Sequence, residues 1–147
     1  GLVLMHMRGT PETMQGLADY EDVALEVADE LADALMRAEV AGIARRRVVL
    51  DPGIGFAKTA EQNVELIARM REVEMRVGRP LLLGPSRKSF LGALLGGVPA
   101  EERDAGTVGA CVAGLARGAR VFRVHDVRSA RHALDVAHAI LSEGGAA

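Results

Sequence analysis

Four short apolar runs, each followed by a helical pattern, constrain the fold of this chain more than any other feature. The runs are Leu2–Met5, Val48–Leu50, Leu81–Leu83 and Val121–Val124. Three of them are nearly continuous, which is typical of strands buried on both faces of a parallel sheet. No Asn-Gly or Asp-Gly turn interrupts the alternation, so we predict right-handed βαβ crossovers in an α/β fold.

Helices are predicted between and after these strands, over about 21–41, 60–77, 89–95, 100–117 and 127–143. Thr59 and Gln62 have the spacing of a capping box at the start of the second helix. Gly42 is placed to end the first helix in a left-handed conformation, and Gly78 and Pro80 are placed to end the second. Asp126 is placed to cap the last helix.

Composition indicates one folded domain over residues 1–147, with 49% hydrophobic and 26% charged residues. The net charge of −2 gives no electrostatic footprint for nucleic acid or for a membrane surface. No apolar run is long enough to predict a transmembrane helix. Arg45–Arg47, the one basic cluster, is predicted to be a solvated entry to a strand.

Cys111 is the single cysteine, which excludes an internal disulfide and fits a reducing cytoplasm. Its small apolar neighbours predict a packed core thiol and not a nucleophile. The first residues lack the basic region of a signal peptide. Because the chain opens inside a strand without an initiator Met, we expect it to be part of a longer chain.

Two architectures fit four βα units: a small doubly wound sheet, and half of an eight-stranded barrel. The doubly wound fold usually has a glycine-rich loop after its first strand. Here that segment is Met5-His6-Met7-Arg8-Gly9-Thr10-Pro11, which is not that fingerprint. In either architecture, functional side chains gather at the carboxyl ends of the strands.

The first two strand ends carry a soft apolar surface and a carboxylate. Met5 and Met7 offer polarizable contacts for a flat ring, whereas His6 points away from them and is a candidate structural residue. Asp51 ends the second strand. Its carboxylate suits the paired donors of a 2-amino-pyrimidinone edge, or alternatively serves as a turn or helix cap.

The last two strand ends carry cations. Ser86-Arg87-Lys88-Ser89 has the composition of an anion site, or alternatively of a solvated loop. Arg123 and His125 are two residues apart, so they are predicted to share one face of the fourth strand. There they form either a diphosphate clamp or an internal ion pair with an acid such as Asp51. His132 and His138 lie outside this set and are expected to be exposed.

Together, the four strand ends can recognise a flat heterocycle that bears a leaving diphosphate. The segments Met5–Pro11, Asp51–Thr59, Ser86–Gly92 and Arg123–Val127 also resemble, in order and spacing, motifs of the dihydropteroate synthase family. The resemblance covers essentially the whole chain. It implies the C-terminal half, (βα)4, of a (β/α)8 TIM barrel, in which these would be strands five to eight.

The resemblance also implies residue roles. Asp51 would hydrogen-bond the pterin ring, Lys88 would contact the pterin and flank the p-aminobenzoate pocket, and Ser89 would bind the p-aminobenzoate carboxylate. Arg123 would stack on the pterin and hold the diphosphate with His125, so that Lys88, Arg123 and His125 form the catalytic set. The pocket lining would include Met7, Phe56 and Gly84. Ala57 stands where the family more often has glycine.

The implied reaction, a step of bacterial-type folate synthesis, is displacement of pyrophosphate from a pterin diphosphate by p-aminobenzoate, with sulfonamides as competitors of p-aminobenzoate. Family members bind Mg²⁺ on the diphosphate through an Asn on a barrel strand outside these residues, so no metal ligand is predicted here. They are commonly homodimers. Two alternatives remain: an inactive half-barrel fragment, or a pterin-binding methyltransferase of the methyltetrahydrofolate-corrinoid type, which has no diphosphate to hold.

Overall fold

A computed structural model describes residues 1–143 of the chain. The strands are β1 (Leu2–Met5), β2 (Val48–Asp51), β3 (Leu81–Leu83) and β4 (Ala119–Phe122). The α-helices are α1 (Val23–Val40), α2 (Ala60–Ala68), α3 (Met70–Val77), α4 (Ser89–Leu94), α5 (Asp104–Ala116) and α6 (Val127–Glu143). Short 3₁₀ turns cover Met14–Leu17, Arg45–Arg47 and Ala100–Glu102.

In the described part of the chain, the strands form one parallel sheet in the consecutive order β1-β2-β3-β4. Met5 lies opposite Asp51, and Leu83 lies opposite Phe122. A doubly wound sheet reverses its strand order at a switch point. The consecutive order therefore favours the second architecture, a segment of a barrel wall, over the first.

The core lies between the sheet and its helices. Leu50, Leu81 and Leu83 of the inner strands are fully buried, together with Leu31 of α1 and Leu66 of α2. The opposite face of the sheet is open at both outer strands. Val3 is 49% exposed, Met5 37% and Val121 39%. A barrel wall has this asymmetry, because its second face lines the barrel interior.

Most of the predicted helix boundaries are confirmed. Asp22 accepts hydrogen bonds from the first turn of α1, and the capping box of Thr59 and Gln62 is formed at the start of α2. Gly42 and Gly78 follow their helices at φ values of 87° and 61°. These are left-handed conformations in which glycine avoids the steric cost of a Cβ. Oδ1 of Asp126 accepts from the Ser129 amide at 3.0 Å, which caps α6.

Two predicted helices are shorter than expected. The helix predicted over 60–77 breaks at Arg69, where the Glu72 amide donates to the Arg69 carbonyl and tightens the turn. The guanidinium of Arg69 also reaches back to Asp22 across the helix pair, at 2.9 Å and 3.0 Å. The helix predicted over 100–117 is divided into a 3₁₀ turn and α5.

The fourth strand was predicted two residues too late. β4 ends at Phe122, so the prediction that Arg123 and His125 share a strand face is wrong. The Arg123 amide still donates to the Leu83 carbonyl at 3.1 Å. Beyond it the partner strand has already turned away through Gly84 and Pro85, and proline cannot donate to the ladder.

Further predictions about single residues are confirmed. Arg45–Arg47 are exposed immediately before β2, and His132 and His138 are exposed on α6. Cys111 is fully buried, and burial raises the pKa of its thiol to about 11. No helix among residues 1–143 is long and apolar enough to cross a membrane.

Candidate active site

Asp51 is the buried acid at the carboxyl edge of the sheet. Its side chain is only 2% exposed, and its Oδ1 accepts from the Gly53 amide at 2.8 Å. Oδ2 lies 3.4 Å from Nη2 of Arg123. Burial raises the pKa of Asp51, while the Gly53 hydrogen bond and then the charge of Arg123 oppose that rise. The carboxylate therefore keeps acceptor capacity for a further donor pair.

Arg123 crosses the end of β3 to reach Asp51. Its guanidinium lies over Gly84, where the Cβ of any larger residue would come within 3.1 Å of Nη2. The Arg123 side chain is nevertheless 59% exposed, on the open side of the sheet. The ion pair with Asp51 that the sequence left open as an alternative is therefore present as a long contact, which leaves most of the guanidinium free for an anionic ligand.

Lys88 approaches the same place from the loop after β3. Its ammonium donates to the Ile54 carbonyl and lies 4.4 Å from the centre of the Phe56 ring. A Cβ at Gly55 would lie 2.8 Å from Cδ of Lys88, so only glycine permits this approach. Burial lowers the pKa of Lys88 to about 8, although the charge of Asp51 opposes that change.

His125 is oriented by Ser86, a contact that the sequence did not reveal. The Ser86 hydroxyl lies 2.7 Å from Nδ1 of His125 and accepts from the His125 amide at 3.1 Å. The serine thereby joins the loop after β3 to the loop after β4. His125 itself is exposed, with Nε2 available to a ligand.

The loop that carries Ser86 and Lys88 is held by α5 and the segment before it. Arg87 has a left-handed φ of 59°, and its guanidinium makes two 2.8 Å hydrogen bonds to Asp104. Arg103 donates to the Arg87 carbonyl at 3.0 Å and to the Lys88 carbonyl at 3.3 Å. Charged donors thus stabilise a backbone conformation that is unfavourable for a residue with a side chain.

A second, buried network lies behind the loop after β2. Nζ of Lys58 is 3.0 Å from Nδ1 of His6, and Nε2 of His6 is 3.0 Å from Oε2 of Glu30. Nε of Arg8 donates to the other oxygen of Glu30 at 2.9 Å. Sequence reasoning identified none of these partners, although the alternative that His6 is a satisfied structural residue is confirmed. The rarity of lysine could have pointed to Lys58, because Lys58 and Lys88 are the two lysines of the chain.

Burial dominates the protonation of this network. Burial lowers the pKa of Lys58 to about 7, against the charges of Asp51 and Glu30. Burial and then the charge of Lys58 lower the pKa of His6 to about 4, although Glu30 opposes this. A neutral His6 therefore accepts at Nδ1 from Lys58 and donates from Nε2 to Glu30.

The structure brings some of the predicted site residues together and leaves others apart. A single cluster at the carboxyl edge contains Asp51, Phe56, Gly84, Lys88 and Arg123. His125 adjoins it through Ser86. Ser89 is exposed at the first residue of α4, and Met7 is half-buried after β1. Neither makes a side-chain hydrogen bond within the described residues, so their predicted contacts remain predictions.

The chemistry of the cluster does not fit a divalent cation. Mg²⁺ prefers several oxygen ligands, whereas this edge presents one hydrogen-bonded carboxylate and three cationic or nitrogen side chains. Within residues 1–143, no group of three or more His, Cys, Asp or Glu residues is arranged to hold a metal. The set of donors instead suits a neutral ring edge and an anion.

Residues 1–125 match the sequence model of the family described as pterin binding enzyme. The chain belongs to the pterin-binding enzyme family. The location of the Asp51 cluster agrees with this membership, because enzymes with parallel α/β barrels bind their ligands at the carboxyl ends of the strands.

One relative and two solved structures to which this pterin-binding enzyme is similar are dihydropteroate synthases. A dihydropteroate synthase from Synechocystis is 45% identical over 139 residues, covering 95% of this chain and 48% of the relative. The structure of a Yersinia pestis dihydropteroate synthase with a sulfonamide drug superposes with a TM-score of 0.91 and 38% identity, covering 96% of this chain and 51% of the other. A Xanthomonas albilineans dihydropteroate synthase in complex with 7,8-dihydropteroate gives a TM-score of 0.84 and 40% identity, covering 94% and 51%.

The chain therefore spans about half the length of the relatives that it matches. The match confirms the α/β fold class, with this four-stranded sheet as part of a TIM-barrel architecture. The assignment to the C-terminal half of the barrel stays a prediction, based on the order of the motifs.

Proposed function

We propose that this pterin-binding enzyme contributes half of the barrel of a dihydropteroate synthase. The reaction joins 6-hydroxymethyl-7,8-dihydropterin diphosphate to p-aminobenzoate and yields 7,8-dihydropteroate and pyrophosphate. One observation carries the proposal: Asp51, Lys88 and Arg123, from three different strand ends, converge on one open edge of the sheet. A heterocycle with several donors and a leaving anion requires this combination of groups.

In the proposed reaction, the arylamine nitrogen attacks the methylene carbon of the pterin. The new C–N bond forms as the C–O bond to the diphosphate breaks, the electron pair leaves on pyrophosphate, and the amine loses a proton. The protein contributes by holding the two reactants together and by stabilising the negative charge that develops on the leaving group. It needs no covalent intermediate for this.

The geometry supports different roles for the residues of the cluster. Asp51 is buried and accepts hydrogen bonds, so it is suited to the amino and ring N–H donors of the pterin. Arg123 and His125 extend from the end of β4 towards the open side, where the diphosphate would lie. Lys88 lies close enough to Asp51 and Arg123 for both charges to act on its pKa. Phe56 and Gly84 would line the pterin pocket.

Fewer residues of this chain would contact p-aminobenzoate. Ser89 is exposed next to Lys88, which suits a hydroxyl donor to the p-aminobenzoate carboxylate. Met7 would add apolar lining from the end of β1. Sulfonamides would compete for this position, in line with the drug-bound relative from Yersinia pestis.

Further groups would come from outside the described residues. We place the Mg²⁺ of the proposed reaction on ligands outside residues 1–143, since the cluster itself presents cations towards the diphosphate. A homodimer in the cytoplasm is the proposed working form of the complete enzyme. No step above depends on the metal.

One observation favours the alternative of a half-barrel that is inactive on its own. The outer strands expose Val3, Met5 and Val121 on the face that would line a closed barrel, and each outer strand has one unpaired edge among the described residues. Such a face favours association. The site would then work only when other strands close the barrel over Asp51 and Arg123.

The test is pyrophosphate release by the purified protein, with its intact mass measured on the same sample. The proposal predicts release that requires both the pterin diphosphate and p-aminobenzoate and that a sulfonamide suppresses. If a sample of 15.5 kDa is inactive, the assay is repeated after addition of the missing half-barrel of a relative. Absence of release in both samples would refute the proposed function and support the inactive fragment.

A further inference from the structure

We infer that Lys58, with His6 and Glu30 behind it, is a positioning residue that holds the pterin-facing loop Gly53–Lys58 in its active conformation. This inference rests on the proposed function, because it assigns the network a role in pterin affinity. The residues lie on the helix side of the sheet, and none of them belongs to the cluster at the carboxyl edge.

Lys58 donates hydrogen bonds to two backbone carbonyls of the loop. Its ammonium donates to the Gly53 carbonyl at 3.2 Å and to the Phe56 carbonyl at 3.0 Å, and its third proton points to Nδ1 of His6 at 3.0 Å. An ammonium has three donors, and each has a partner here. The side chain is nearly fully buried, so this conformation is well defined.

The loop needs such support because its backbone is unusual. Gly53, Gly55 and Ala57 all have left-handed φ values, of 71°, 82° and 49°. A Cβ at Gly53 would lie 1.9 Å from the carbonyl oxygen of His6, so the loop also rests directly on the end of β1. Residues in this region cost free energy unless the surroundings hold them, and Lys58 supplies two of the holding contacts.

The His6 side chain connects the loop to a rigid helix. Nε2 of His6 donates to Glu30 in the middle of α1, and Glu30 is also held by Arg8. Lys58 therefore links the loop to α1 through the imidazole of His6. A purely apolar residue would fill the same space at a smaller desolvation cost, which indicates that the polar contacts have a use beyond packing.

The loop in turn places two of the ligand-facing groups of the site. The Gly53 amide donates to Asp51 at 2.8 Å. The Ile54 carbonyl accepts from Lys88, and the ring of Phe56 lies 4.4 Å below its ammonium. Loosening the loop would therefore misplace Asp51 and Lys88 together, although Lys58 itself reaches no ligand.

The test compares Lys58→Met with Val77→Ala. Methionine keeps the length of the side chain without its donors, whereas Val77 is a fully buried residue of α3 outside the network and the site. Hydrogen–deuterium exchange of residues 53–58 is measured without ligand. Affinity for the pterin diphosphate is then measured by calorimetry at a temperature where each variant is folded.

The expected result for Lys58→Met is faster exchange confined to the loop and the neighbouring end of β1, together with a pterin Kd raised tenfold or more. Val77→Ala is expected to lower the melting temperature and leave the pterin Kd unchanged. A Lys58→Met protein with wild-type exchange in the loop, or with faster exchange and a wild-type pterin Kd, would overturn the inference. Wild-type protein that binds no pterin would refute the proposed function, and the exchange data would then decide by themselves whether Lys58 holds the loop.

Discussion

Nη2 of Arg123 lies 3.4 Å from Oδ2 of Asp51, so a side chain that follows β4 reaches the buried acid at the end of β2. The contact passes over Gly84 at the end of the strand between them. It places a largely exposed cation beside the buried carboxylate. In the proposed function, this relationship sets the distance between the pterin edge and its diphosphate.

Replacing Arg123 with Met should therefore weaken binding of the diphosphate more than binding of the pterin ring. Hydrogen bonds to charged groups contribute about 1.5–3 kcal/mol, so the Kd for the pterin diphosphate should rise roughly tenfold to a hundredfold. Arg120→Met is the control, because the exposed Arg120 side chain donates to the Ala119 carbonyl and not to Asp51. Calorimetry with the diphosphate and with the free hydroxymethyl pterin separates the two effects. Equal losses for both ligands would contradict the assigned role.

The two lysines should titrate far below the usual value. In protein labelled with ¹³C at lysine Cε, the midpoints should be about 7 for Lys58 and about 8 for Lys88, against 10.5 for an unperturbed lysine. The variants Lys58→Met and Lys88→Met assign the signals. Lys58 is surrounded by the charged side chains of Asp51, Glu30, Arg8 and Lys88 and by neutral His6. Two midpoints above 10 would show that neither lysine is desolvated as described.

The lowered pKa values of the two lysines also determine how the free energy of unfolding changes with pH. Each folded-state pKa is depressed, so the contribution of these lysines to the free energy of unfolding is complete above the unfolded value of 10.5 and is lost as the pH falls through about 8 and about 7. The difference in stability between wild type and Lys58→Met should therefore move in favour of wild type from pH 7 to pH 9.

Affinity for the diphosphate should fall as the pH rises through about 8, since Lys88 loses its charge.

Gly55→Ala should displace Lys88. The new Cβ would lie 2.8 Å from Cδ of Lys88 at a φ of 82°, so the ammonium loses its place over Phe56. Gly96→Ala is a matched control, because its φ is 73° and no atom lies within 4 Å of the new Cβ. Both variants should lose about 1–2 kcal/mol of stability from the backbone term. Only Gly55→Ala should also weaken pterin binding, and equal affinities in the two variants would contradict the geometry.

Ala57→Gly should cost little stability. Ala57 has a φ of 49°, so glycine relieves a left-handed strain of about 1–2 kcal/mol. This offsets the loss of a buried methyl, about 0.8 kcal/mol, and the greater entropy of the unfolded chain. Ala139→Gly, at an exposed position within α6, should instead lose about 1 kcal/mol. Urea denaturation distinguishes them, and a loss at Ala57 larger than that at Ala139 would show that its conformation is not strained.

Local patterns predicted the fold well, because each depends on neighbours in sequence. The apolar runs marked the strands, Thr59 and Gln62 marked a helix start, and the strand-end rule brought Asp51, Lys88 and Arg123 to one edge. The end of β4 was misplaced, since it depends on where β3 turns away at Pro85. That information lies on another strand.

The supporting contacts of the site were not predictable in the same way. Ser86 and His125 are 39 residues apart, and Lys58 and His6 are 52 residues apart. Their pairing depends on which loops the sheet places side by side, and no periodicity within one element encodes that. The sequence therefore indicated the ligand-facing groups and left out the residues that hold them.

Asp51→Asn decides whether this edge of the sheet binds a pterin. Asparagine retains an oxygen for the Gly53 amide but removes the charge. Because the folded-state pKa of Asp51 is raised, its contribution to stability is present below the unfolded pKa and lost as the pH rises through the folded pKa. At pH 7 the buried carboxylate therefore costs stability, and the variant should melt no lower than wild type.

The measurement is a calorimetric titration of pterin diphosphate into wild type, Asp51→Asn and Asp135→Asn, an exposed position on α6. If Asp51 binds the pterin, wild type and Asp135→Asn bind alike, and Asp51→Asn binds about tenfold to a hundredfold more weakly while remaining folded. If a folded Asp51→Asn protein binds the pterin as tightly as wild type, Asp51 is not the pterin acid and the site lies elsewhere.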